Sequence, residues 1–174
     1  MTVLVWITQD TWAACIDAAR TLAPADADVT LLYVTDTAAL ETAHGAYTAL
    51  LGRSRADPGA ELETMAAETA GRVVAEAAER FGRPARRLQL RGRPEHQVVG
   101  AAREADLLVL AREGAAAGPK SLGKTARFVV DHAACPVLLI WPGPVPAAPP
   151  PPAPPPPPAP RPAPPHRRRR HPLE

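Results

Sequence analysis

Five short strand-like runs, separated by stretches with helical periodicity, constrain this chain more than any other feature. VLVWI (Val3 to Ile7) is apolar, rich in β-branched residues and too short for a helix, so it reads as a buried strand. VTLLYV (Val29 to Val34), RRLQL (Arg86 to Leu90), DLLVLA (Asp106 to Ala111) and PVLLIW (Pro136 to Trp141) supply four more. Between them the period changes to that of a helix. Trp12, Ile16, Ala19 and Ala23 fall on one face, as do Leu62, Met65, Thr69, Val73, Ala77 and Phe81. A helical region is expected from Ala38 to Leu51, a short helix with Pro94 in its first turn, and another across SLGKTARFVVDHAA. Strand and helix alternating to five strands predicts a three-layer, doubly wound α/β domain around a parallel sheet. Ligands of such sheets sit beyond the carboxyl ends of the strands, where the strand order reverses. That directs attention to Thr8 to Asp10, to Thr35 and Asp36, and to Ala111 to Lys124.

Composition sets the domain boundary. Of 174 residues 23 are proline, and most of these follow Trp141. The expected division is therefore an α/β domain over 1–142 and a disordered tail over 143–174; about 140 residues suffice for one ordinary core. The formal charge of +2 divides unevenly, because the tail carries five Arg and one Glu and leaves the body acidic. The basic character belongs to the tail, and no nucleic-acid groove is implied in the domain. Cys15 and Cys135 stand apart with no paired framework, which reads as reduced thiols in a cytoplasmic protein. MTVLVWITQD meets an acid at position 10 and has no basic start, so neither a leader nor a membrane span is expected there.

GPKSLGKT (Gly118 to Thr125) spells the phosphate loop of many nucleotide hydrolases. Its context argues against that reading. REGAAA separates the preceding strand from Gly118, only one strand lies downstream, and that strand ends in Trp-Pro rather than a magnesium-holding Asp. The alternative is a helix N-terminus over Ser121 to Thr125, with Gly123 there for close packing.

The element order, together with LLYVTD, RGRPEHQVV, ADLLVLAREG and LGKTARFVVDHAACPVLLI, resembles the universal stress protein family across nearly all of residues 1–142. The most specific part is the ending, from His132 to Val137. The resemblance implies a five-stranded α/β fold, a homodimer through the last strand (Pro136 to Trp141), and a stress-associated regulatory role rather than an enzyme's. It also implies a site for ATP or another adenine nucleotide. The family's phosphate motif is G-x2-G-x9-G-[ST]. Here Ala111 stands at its first Gly, Gly114 at the second and Gly123 at the third, with a spacer one residue short, while Lys124 replaces the Ser or Thr and Thr125 follows. The Asp that usually follows the first strand falls on Thr8, and Val34 lies beside the base. Lys120 and Lys124 add positive charge to a helix N-terminus already suited to an anion.

Other candidates read as structural. His132 closes the last helix, where a cation is favoured. Cys135 packs as a small apolar residue. Glu95 and His96 lie on a solvated helix face, and Trp6 and Trp12 fill core or interface. No nucleophile, base and orienter set is visible. The tail favours polyproline II and extends roughly 75 Å over two dozen residues. A binding adaptor that touches nucleic acid or an anionic surface through RRRR is the remaining alternative, weakened by the modest charge of four Arg.

Overall fold

The computed structural model describes residues 1–38, 58–112 and 122–143. The helix expected from Ala38 to Leu51 lies outside these beyond its first residue, as do Gly114, Lys120 and the tail from 144 onward.

The elements run β1 (Thr2–Ile7), α1 (Trp12–Leu22), β2 (Asp28–Asp36), α2 (Pro58–Phe81), β3 (Arg86–Gly92), α3 (Pro94–Ala101), a 3₁₀ turn (Ala102–Glu104), β4 (Leu107–Ala111), α4 (Lys124–His132) and β5 (Val137–Ile140). All five strands are parallel, in the order β3-β2-β1-β4-β5. The chain thus winds outward from β1 through β2 to β3, then returns to β1's other side for β4 and β5. This is the doubly wound arrangement expected from the alternation.

Alternation along the inner strands divides the core into two layers. Val3, Val5, Ile7, Val29, Leu31, Val109 and Ala111 pack with Cys15, Ile16 and Ala19 of α1 and with Val73, Val74, Ala77 and Phe81 of α2. Leu4, Trp6, Leu32, Leu108 and Leu110 pack on the other face with Val98, Ala102, Ala126 and Val129. Fully burying a side chain the size of Ile16 or Phe81 stabilises the fold by about 1.5–3 kcal/mol. Trp6 is a core residue, 6% exposed, and Trp12 packs half-buried against the first layer with the Arg80 guanidinium 6.0 Å from its ring.

Local chemistry sets the ends of the elements. α1 stops at Ala23, which is extended ahead of Pro24. α2 begins with Pro58 in its first turn, has Glu61 there and Arg80 in its last, and is closed by Gly82 at φ 69, whose N–H donates to Ala78 O at 3.3 Å. Only the second half of α2 is buried, from Ala70 onward, while Leu62 and Met65 are 37% and 62% exposed. The expected stripe from Leu62 to Phe81 is therefore fully buried only at Val73, Ala77 and Phe81. Arg80 clamps α2 to α1 through two 2.7 Å hydrogen bonds to Asp17. The Arg80 guanidinium holds the exposed Asp17 carboxyl below its ordinary range.

Two strand boundaries also differ from expectation. β2 extends to Asp36 because β3 pairs with it as far as Asp36 opposite Gly92, so Thr35 and Asp36 lie within the strand rather than after it. Gly92 ends β3 at φ 130, where an added Cβ would stand 2.9 Å from the Gln97 side chain.

Candidate functional site

The strand order reverses between β1 and β4, so their carboxyl ends form the crevice in which a ligand of this architecture binds. β1 is paired with β2 up to Ile7 opposite Tyr33, and with β4 through Val5 opposite Val109. Continuing both registers by a residue or two brings Thr8, Val34 and Ala111 to nearly one line across three neighbouring strands. Thr8 is the first residue past β1. Val34 faces the α3/α4 layer, and Ala111 is the last residue of β4, 6% exposed in the α1/α2 layer.

Thr8 does not stand alone. Its carbonyl accepts from the N–H of Trp12 at 3.1 Å, which starts α1, and its Oγ1 lies 2.7 Å from Thr11 Oγ1. Thr11 is the residue before the helix, yet its hydroxyl makes no capping bond to α1; it turns back to Thr8 instead. At 7% exposure Thr11 is the buried polar residue among the described positions. Below it Cys15 is fully buried. Burial pushes the Cys15 thiol up from its ordinary value near 9 to about 12, against hydrogen bonds from the Thr11 side chain and the Ala111 backbone that pull it down. The Thr8–Thr11 hydroxyl pair therefore closes the turn after β1 beside the buried Cys15. Thr11 and Cys15 escaped the sequence reading; the only trace of them was a Thr-x-x-Thr spacing immediately before a helix.

The phosphate-side candidates sit on the next connection. Gly123 caps the N-terminus of α4, with φ −54 and ψ 166, and its carbonyl accepts from Arg127 N–H at 2.9 Å. Lys124 and Thr125 are the first residues of the helix, which is shorter than expected at both ends. Arg112 follows Ala111; its N–H donates to Ile140 O at 2.9 Å and its guanidinium stacks 4.3 Å from the Trp141 ring. Gly114, the second glycine of the motif, lies outside the described residues.

The other candidates take structural places. His132 Nδ1 lies 2.8 Å from Phe128 O and its ring stacks on Phe128 at 4.0 Å, closing α4. His96 is exposed and meets the same ring edge-on at 5.4 Å. Cys135 is half-buried against the α3/α4 layer, and burial raises its thiol pKa. Burial also raises the Tyr33 pKa, with Asp10 adding to the shift and Arg72 opposing it. A cleft of about 650 Å³ opens at the opposite, amino end of the strands, between Asp26, Asp28, Arg83 and Arg86. Its charges are mixed, and Arg83 is already committed to the carbonyls of Pro24 and Ala25 at 3.0 and 3.3 Å. The crevice at the reversal point is the better candidate on architecture.

A five-stranded, all-parallel, doubly wound sheet with helices on both faces defines an α/β protein. The model of the universal stress protein family matches residues 1–140, and the chain belongs to that family. Among solved structures it is similar to a universal stress protein in complex with cAMP, at 18% identity and TM-score 0.56, covering 82% of this chain and 98% of that one. It is also similar to the hypothetical protein MJ0577, the subject of a structure-based assignment of biochemical function, at 16% identity and TM-score 0.62, covering 80% and 94%. UspA from Lactobacillus plantarum matches at 23% identity and TM-score 0.52, covering 80% and 97%. These likenesses show the fold. No curated protein matches the chain by sequence. No helix among the described residues is long and apolar enough to cross a membrane.

Proposed function

We propose that this chain is a non-enzymatic regulatory protein of the universal stress type, cytoplasmic and homodimeric, that binds an adenine nucleotide beyond the carboxyl ends of β1 and β4. The observation that carries the reading is the reversal of strand order between those two strands, which opens a crevice with Thr8 just past the end of β1 and Ala111 at the end of β4, beside Val34 near the end of the neighbouring β2. The base sits by Thr8 and Val34. The phosphates lie toward Gly123, where the N–H groups that open α4, with Lys124 and Thr125, favour an anion. A structural relative in complex with cAMP supports the class of ligand. Lys124 supplies charge where the family motif supplies a hydroxyl, and Ala111 leaves less room than a glycine.

The polar groups near this crevice also support a binding role over turnover. Cys15, the thiol beside it, is held protonated by burial and is no nucleophile at neutral pH. His132 is engaged in closing α4. Dimerisation follows from β5, a half-buried apolar strand at the sheet's edge.

The test is to denature the purified chain, identify the small molecules it releases, and titrate the ligand-free protein with ATP and cAMP by calorimetry at low salt. Binding at or below about a millimolar is expected, an affinity worth about 4 kcal/mol. Gly123→Val is expected to weaken it tenfold or more by forcing a branched side chain into the start of α4. ATP turnover near one per second or faster would overturn the non-enzymatic reading, and undiminished binding by Gly123→Val would move the ligand elsewhere.

A further inference from the structure

The amino half of α2 is a helix that no other described element covers. Glu61 to Met65 are all exposed, and five residues are more than one full turn, so every side of the helix faces outward there. Leu62 and Met65, 37% and 62% exposed, stand among Glu61, Glu63 and Glu68, and the stretch from 58 to 71 holds no Lys or Arg. Arg91 of β3 approaches Glu63 only loosely, at 3.9 Å, while Arg72, a turn after Glu68, pairs with Glu76 at 3.5 Å. Among the described residues Glu61 and Glu68 have no basic partner. The half-helix is thus an acidic face with an apolar centre.

The opposite charge is gathered in one place. Beyond Gly143 the chain continues over 144–174 with five Arg and one Glu, and four of those Arg are consecutive, Arg167 to Arg170. The topology puts the root of this tail at the same end of the molecule as the acidic face. β2 and β3 are parallel, so α2 between them runs back against the strands, and its amino half lies at their carboxyl end, where β5 also finishes. Only β1 and β4 separate β2 from β5, about 14 Å across at the usual strand spacing. From Gly143 to Arg167 the chain reaches about 75 Å at the polyproline rise, and such an arm is stiff over only several residues at a time, so it has length to turn back.

We infer that the basic end of the tail docks on the amino half of its own α2, with Arg167 to Arg170 against Glu61, Glu63 and Glu68, and Pro172 and Leu173 over Leu62 and Met65. Charge selects this occupant, since three carboxylates repel a nucleic acid or an anionic surface. Tethering selects the chain's own tail over another copy's, because a linked segment is present at an effective concentration on the order of millimolar. Across a dimer paired along β5, the second copy's α2 lies farther from Gly143 than the chain's own. The contact is independent of any nucleotide in the crevice.

The experiment places a nitroxide on the full chain at Leu173→Cys, with Cys135→Ser removing the accessible native thiol; Cys15 is fully buried. Amide signals from Glu61 to Thr69 should weaken about twofold or more at about 0.01 M salt, with those of α3 on the opposite face unchanged, and recover at about 1 M, where charges are screened over about 3 Å. Glu61→Gln, Glu63→Gln and Glu68→Gln together should restore the signals at low salt. So should Arg167→Gln, Arg168→Gln, Arg169→Gln and Arg170→Gln, which leave the domain untouched. Undiminished signals in the parent, weakening spread evenly over the surface, or weakening at α2 that survives both sets of substitutions would overturn the inference. Weakening seen only between copies, in a mixture of isotope-labelled and nitroxide-bearing protein, would overturn it too, since the occupant would then be a second copy's tail.

Discussion

At one edge of the sheet β3 presents Arg86, Arg87, Gln89 and Arg91 to solvent; at the other, β5 carries Val137, Leu138, Leu139 and Ile140, all half-buried. Both strands have one side unpaired among the described residues, so both expose a row of backbone donors and acceptors. The difference lies in what surrounds that row. On β3, long charged side chains alternate with Leu88 and Leu90, which alone turn into the α3/α4 layer. Arg91 reaches toward Glu63 of α2 at 3.9 Å, a loose and exposed pair that keeps a charge beside the edge. On β5 both faces are apolar: Leu138 and Ile140 join one layer, Val137 and Leu139 the other. Charge at an edge is a device against pairing with another chain, and its absence from β5 is the physical basis for the dimer proposed there.

The largest effect is expected from putting the β3 device onto β5. Leu139→Lys should shift the dimer to monomer, raising its dissociation constant by about a hundredfold or more, read by light scattering at tens of micromolar. Retained far-ultraviolet circular dichroism separates this from unfolding. A Leu139→Lys protein that is folded and still dimeric would place the interface elsewhere.

The reverse exchange should have a smaller effect. Arg87→Val combined with Arg91→Val leaves β3 flanked by β-branched residues and should produce soluble higher-order species in the same scattering experiment, within a single order of magnitude in concentration of the parent's own assembly. The loss of the Arg91–Glu63 pair itself should change thermal stability little, since exposed pairs contribute about 0–1 kcal/mol. If the doubly substituted protein remains as well behaved as the parent, charge is not what guards this edge.

These two edges also show where the sequence is informative and where it is silent. VLVWI, VTLLYV and DLLVLA are nearly continuous apolar runs, broken only by Thr30 and the leading Asp106, because helices cover both of their faces, and that continuity made the sheet and its doubly wound class legible. RRLQL was legible as a strand, but its place at the sheet's edge emerges only from the strand order. The end of β2 was not, because Thr35 and Asp36 are held in the strand by pairing with Arg91 and Gly92, a contact far away in sequence. The exposure of the first half of α2 was equally invisible: Leu62 and Met65 keep the helical period of the buried residues, and only tertiary packing decides which of them is covered. Within the crevice, Thr8 was singled out by its place just after the first strand and again by the family resemblance. Thr11 and Cys15 carry no pattern of their own; their roles arise because the turn after β1 folds one hydroxyl back onto another above a buried thiol.

The smallest effect expected is also the most local report on the β5 edge. Cys135 lies two residues before that strand, half-buried against Val137's layer, whereas Cys15 is sealed under the crevice. Burial raises both thiol pKa values, Cys15 to about 12, so each stays protonated in the fold where an unfolded chain's thiol, near 8.5, begins to ionise. Alkylation requires the thiolate. Both should therefore react slowly at pH 8, and the Cys135 rate should climb as the pH rises past its raised value, while Cys15 remains silent at pH 10. A partner strand along β5 buries Cys135 further, so the parent should alkylate there about three- to tenfold more slowly than the Leu139→Lys monomer, with Cys15 unchanged in both. Equal rates at Cys135 in the dimer and the monomer would mean that the partner does not reach the start of β5. The contrast between the two edges would then rest on Leu139 and Ile140 alone.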